Sequence, residues 1–150
     1  MSYGIYYKRL HELLVVFQSI ENQTLSKVGH IRTYGSLTHV ILEFETVSLV
    51  IEAIDTDDTI TVKILNDQER EELAIKDVSG EDPWPKYLGR YFGWGWVNIS
   101  QEHDPDGILL SFDGIIPSIM FNVMASSLYL SEIHEVPGQR RDRSGELQGY

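Results

Sequence analysis

Three runs decide the fold: Thr38-His39-Val40-Ile41-Leu42-Glu43-Phe44-Glu45, Ser48-Leu49-Val50-Ile51-Glu52-Ala53-Ile54-Asp55 and Thr59-Ile60-Thr61-Val62-Lys63-Ile64-Leu65. Each alternates, and alternation with period two marks a strand with one buried face. Val40, Leu42 and Phe44 fall on one side, with His39, Glu43 and Glu45 on the other. Ile41 is the one apolar residue on that polar side. Leu49, Ile51 and Ala53 repeat the pattern, as do Ile60, Val62 and Ile64. The links Thr46-Val47 and Asp55-Thr56-Asp57-Asp58 are short, and Asp suits such corners because its carboxylate caps its own backbone. Short links favour neighbouring antiparallel strands over crossovers. The spacing predicts a meander.

Outward from it, Trp94 to Ser100 reads as a strand and His103-Asp104-Pro105-Asp106-Gly107 as a turn. Ile108 to Asp113 resumes the alternation through Ile108, Leu110 and Phe112. Ile119 to Met124 and Leu128 to Ile133 read as two strands, or as one long bent strand, because Ala125-Ser126-Ser127 is a poor turn. The expected core is Val40, Leu42, Phe44, Leu49, Ile51, Ile60, Val62, Ile64, Leu110, Phe112, Phe121 and Val123. Leu10, Leu13, Leu14 and Phe17 have helical spacing. Leu14 to Phe17 is also rich in strand formers, which predicts a helix from Tyr6 to Leu13 and then a strand to Ile20. Asp67 to Leu73 is helix-tolerant, and Pro85 suits the first turn of a short helix ending near Tyr91.

The fold class that follows is α+β: a strand-dominated, curved antiparallel sheet with an N-terminal helix and one short helix near residues 85–92. The alternative is an all-β roll or barrel. Residues 1–136 read as a single domain and residues 137–150 as a polar C-terminal tail.

The chain has 150 residues, 42% hydrophobic and 23% charged, enough to bury a core without metals or disulfides. It has no cysteine, which excludes thiol catalysis, iron–sulfur clusters and cysteine-based zinc sites. The net charge is −11. No Lys or Arg occurs from Thr33 to Val62 or from Tyr91 to Gln139. That distribution repels phosphate backbones and anionic membranes, so neither nucleic acid nor a membrane is expected as a partner. No targeting segment or membrane-spanning run is read, and the expected location is the cytoplasm.

No phosphate loop, nucleophile elbow or zinc helix is present. Glu102, His103, Asp104 and Asp106 are the densest group of metal-ligand types, but their spacing matches no recognised site. A polar turn explains them, and no metal or cofactor is expected. The five histidines are scattered. Trp84, Tyr87, Tyr91, Phe92, Trp94 and Trp96 form an aromatic cluster that either fills the core or offers a surface for a sugar, a peptide or a partner. Trp94 and Trp96 share a strand face, so they should be buried or exposed together.

The candidate binding residues are therefore Trp94 and Trp96, together with the acidic Glu43, Glu45, Glu52, Asp55, Asp57 and Asp58. Their chemistry suits a basic protein partner. The function this favours is a non-enzymatic binding or interaction module, in its most concrete form an acidic immunity-type or inhibitor-type protein. The alternative is a small-ligand-binding protein or enzyme using the cluster 84–96 with Glu102, His103 or Asp104.

Gly93-Trp94-Gly95-Trp96, Asn98, Asp106-Gly107, Leu110-Ser111-Phe112 and Ala125-Ser126-Ser127-Leu128 together resemble a group of small bacterial proteins known as a domain of unknown function. The likeness covers about residues 90–135. It implies a bacterial, cytoplasmic, single-domain protein, and it brings no catalytic signature.

Overall fold

The computed structural model describes residues 3–54, 58–100, 105–133, 140–141 and 147–148. Side chains are described from residue 8 onward, except at residue 9 and in the last two pairs. Helix α1 (Tyr3–Ser19) precedes strands β1 (Lys27–Thr33), β2 (Ser36–Glu43), β3 (Ser48–Ile54) and β4 (Thr59–Leu65). A short helix α2 (Asp67–Glu71), a two-residue strand β5 (Lys76–Asp77) and a one-turn 3-10 helix (Trp84–Lys86) follow. Strands β6 (Phe92–Ile99), β7 (Pro105–Phe112), β8 (Pro117–Met124) and β9 (Ser127–Glu132) then run in sequence. Two short strands, β10 (Arg140–Arg141) and β11 (Leu147–Gln148), pair with each other.

The strand-dominated antiparallel class expected from the sequence is the one found, with the strands divided between two sheets. The first has the order β4-β3-β2-β1-β5 and the second β6-β7-β8-β9. The three alternating runs pair in the expected meander register, Leu42 opposite Leu49 and Ile51 opposite Val62. The inner-face buried residues of both sheets and of α1 form one cluster, from Val40, Leu42 and Leu49 to Leu110, Phe121 and Val123. Neither sheet could bury its inner face alone, so each serves as the other's cover.

Trp84 sits at the seam. It is fully buried, its ring stacked on Phe121 at 6.4 Å and edge-on to Tyr87. Its indole N–H donates to His30 Nε2 at 3.2 Å, so the imidazole must be neutral with its proton on Nδ1. Burial, reinforced by Arg32, lowers the His30 pKa to about 4.

Several expectations need correction. The N-terminal helix continues to Ser19 and does not give way to a strand. Leu13, Phe17 and Ile20 are all buried on one side of it, and that packing outweighs the strand preference of Val15 and Val16. Phe17 stacks on Phe92 and lies over Gly95, where a Cβ would stand 2.7 Å from the ring. Ile64, expected in the core, is 45% exposed and lines a groove beside α1, whereas Ile60 and Val62 of the same strand are buried. Ile41, read on the polar side, is fully buried with Ile31, Val50 and Leu65 in a second small core under Leu73 and Ile75. Pro105, Asp106 and Gly107 belong to a strand and not to a turn, with Gly107 paired to Asn98. Ala125 and Ser126 make a two-residue hairpin turn, both with positive φ, and so separate two strands.

The second core exists because of topology. Strands β4 and β5 lie at opposite edges of one sheet, so residues 66–75 must cross its whole outer face. Arg70 on this strap forms an ion pair with Glu43 on β2.

Gly95→Ala is expected to destabilise the protein by about 1–3 kcal/mol, because the new methyl collides with a confined ring. Adding Phe17→Leu should recover part of the loss in urea unfolding. A Gly95→Ala variant as stable as the parent would contradict this packing. The His30 environment gives a second expectation. Its folded pKa lies below the unfolded value of 6.5, so its contribution to stability is complete above about pH 6.5 and lost as pH falls towards 4. The difference in melting temperature between the parent and His30→Gln should change across that interval and stay flat above it.

Candidate functional site

The outer face of the second sheet is assembled from alternate residues of four strands. In one cross-strand row Trp96 lies opposite Leu109, Leu109 opposite Met120, and Met120 opposite Ser131. The next row holds Asn98, Gly107, Asn122 and Tyr129. Directly opposed residues share a face, and so do residues two apart on one strand. The alternate rows, with Val97, Ile108, Phe121 and Leu130, face the core.

Trp94 and Trp96 are both half-buried, as their common face required. The Trp94 backbone N–H donates to Ser111 Oγ at 2.8 Å, and that hydroxyl donates to Gly114 O at 2.7 Å. This clamp sits where the β6–β7 register shifts, between Phe92 and Gly95. Leu109 and Met120 are half-buried, while Tyr129 and Met124 are about half exposed. Trp84, Tyr87 and Phe92 lie in the core instead, so the aromatic cluster divides between core and surface.

Strands β6–β9 contain no Lys or Arg. The cations that reach this sheet come from the connector before it: Lys86 pairs with Glu132, and Arg90 with Asp113 at 3.5 Å. Tyr87 also donates to Glu132, at 2.8 Å. Burial and the neighbouring carboxylate hold the Tyr87 pKa well above its ordinary value, so this hydroxyl stays protonated and cannot act as a base. Asp106 is half-buried in β7 and has no ion-pair partner among the described residues.

The acidic residues singled out in the sequence do not all gather. Glu43 is bound to Arg70. Glu52 Oε2 meets His39 Nε2 at 2.9 Å, and His39 Nδ1 lies 2.9 Å from the Thr38 hydroxyl. Glu45 is exposed beyond β2, whereas Asp58 lies at the other end of β3 and accepts from the Ser126 backbone N–H. Asp55, Asp57, Glu102, His103 and Asp104 lie outside the described residues, as does most of the segment 137–150. Among the described residues no group of three metal-ligating side chains is formed.

A groove of about 680 Å³ runs between α1 and the edge strand β4, lined by Leu13, Val15, Ile60, Val62 and Ile64 among others. Sequence reasoning missed it. The exposure of Ile64 depends on how α1 lies beside β4, and periodicity carries no information about that placement. Neither Trp94 nor Trp96 lines this groove. No helix among the described residues is long and apolar enough to cross a membrane.

Acrylamide quenching should separate the three tryptophans. Most of the quenchable emission is expected to come from Trp94 and Trp96, and the Trp94→Phe/Trp96→Phe variant should leave only the shielded emission of Trp84. Efficient quenching in that variant would refute the assignment.

Comparison with known proteins found no match among curated proteins and none among solved structures. The model of a family of unknown function, DUF6334, matches residues 11–137. The match spans the second half of α1, both sheets and the connector between them, and the chain therefore belongs to the DUF6334 family, a family of unknown function.

Proposed function

We propose that the protein is a non-enzymatic interaction module and that the outer face of the second sheet is its contact surface, taking a basic protein partner. One observation carries this reading: Trp94 and Trp96 stand partly exposed, with Leu109 and Met120 beside them, on a sheet without a single Lys or Arg. Tryptophan is the side chain most enriched at interaction hot spots, and its ring face attracts Arg and Lys. A net charge of −11 adds long-range attraction for such a partner. The setting is a sheet face, and neither tryptophan lines the groove beside α1. An acidic inhibitor or immunity-type role, exercised in the cytoplasm, is the most concrete form of this reading.

Trp94→Ala/Trp96→Ala leaves the charge unchanged and removes the proposed contact. Protein and variant, immobilised side by side and exposed to the same cell extract at low salt, should differ by about tenfold or more in the basic proteins they retain. High salt should release those proteins from the parent. Equal retention by both would overturn the reading.

A further inference from the structure

At the centre of this face the ladder runs over a bare backbone. Gly107 pairs with Asn98 on one side and Asn122 on the other. A Cβ at position 107 would stand 2.7 Å from Asn122 Oδ1 and 3.3 Å from Asn98 Nδ2. Both carboxamides therefore lean over the glycine, one presenting an acceptor and the other a donor. Among the described residues neither carboxamide is engaged in a hydrogen bond. Trp96 is two residues from Asn98 on the same strand face, roughly 7 Å away along β6.

We propose that Asn98 and Asn122 hold the main chain of an extended segment of the partner, one that carries an arginine seated on Trp96. The inference rests on the reading above and adds the form of the partner. In an extended chain the N–H and C=O of one residue point to the same side, as they do when they bond a neighbouring strand. An acceptor and a donor side by side match that pair: Asn122 Oδ1 accepts the N–H, and Asn98 Nδ2 donates to the C=O. Gly107 leaves the space into which the two carboxamides lean. The arginine assignment follows from the net charge of −11, which draws a cationic segment to the molecule, and from the rings, since a guanidinium stacks on indole. A saccharide could also stack on tryptophan, but it would make no use of this charge distribution.

The test uses the whole chain and a short peptide of alternating arginine and valine, blocked at both ends. Two further peptides carry either citrulline for arginine or N-methyl groups on alternate main-chain amides. Calorimetry should show binding of the first peptide, with loss of about tenfold or more in affinity for each of the other two. Asn122→Ala should weaken binding similarly, with circular dichroism and melting temperature unchanged as the control for folding. Equal binding of the N-methylated peptide would overturn the main-chain role, and equal binding of the citrulline peptide would overturn the arginine. No binding of any peptide, or preferential binding of a neutral glucan, would overturn the proposal as a whole. If the peptides fail while Trp94→Ala/Trp96→Ala still loses basic proteins from extract, the interaction surface stands and only the extended segment falls. If the tryptophan variant loses nothing, the reading beneath it has failed.

Discussion

Trp84 joins the two halves of the molecule by touching both: its ring stacks on Phe121 of the second sheet, and its N–H reaches His30 of the first. The connector that carries it has little regular structure of its own. What fixes that segment is the burial of one large aromatic, together with the satisfaction of its single polar atom. His30 can accept that hydrogen bond only while neutral, so a half-buried imidazole and a buried indole specify each other. The remaining inner-face contacts between the sheets follow from this closure, because the closure brings two half-finished cores into register.

The two outer faces have opposite fates. That of the first sheet is crossed by residues 66–75, which bury Ile41 and Val50 beneath Leu73 and Ile75. The second sheet has no comparable crossing segment among the described residues, yet its outer face carries two tryptophans, a leucine and a methionine. The contrast singles the second sheet out. On the proposed reading, a face built from such side chains, without the charged residues that usually keep a sheet surface solvated, is the one that meets the partner.

Much of this was legible in the chain because alternation reports faces directly. The meander, most of the core positions and the shared face of Trp94 and Trp96 follow from period two alone. The misreadings arise where a third body decides the outcome. Ile41 looks misplaced until a strap covers it, and Ile64 looks buried until α1 leaves a groove beside it. Strand β1 went unread because Gly29 and the charged Lys27 and Arg32 interrupt its apolar residues. The helix from Tyr3 to Ser19 was cut short because Val15 and Val16 carry the wrong local preference, and only the ring of Phe17 over Gly95 shows why the helix continues. The convergence of Asn98 and Asn122 over Gly107 was invisible as well, since it joins three strands whose pairing the sequence does not state.

The strap also sets an order of assembly. Strands β1 to β4 can zip together through local hairpins, each next to its predecessor in the chain. Strand β5 must wait until β1 occupies its place three strands from β4, because residues 66–75 can be drawn across the sheet only after there is a sheet to cross. The small core beneath the strap is therefore a late acquisition on the folding route. Held by two paired residues in β5 and by side-chain contacts such as Arg70–Glu43 and Lys63–Glu69, it is also the part best placed to lift without dismantling the rest.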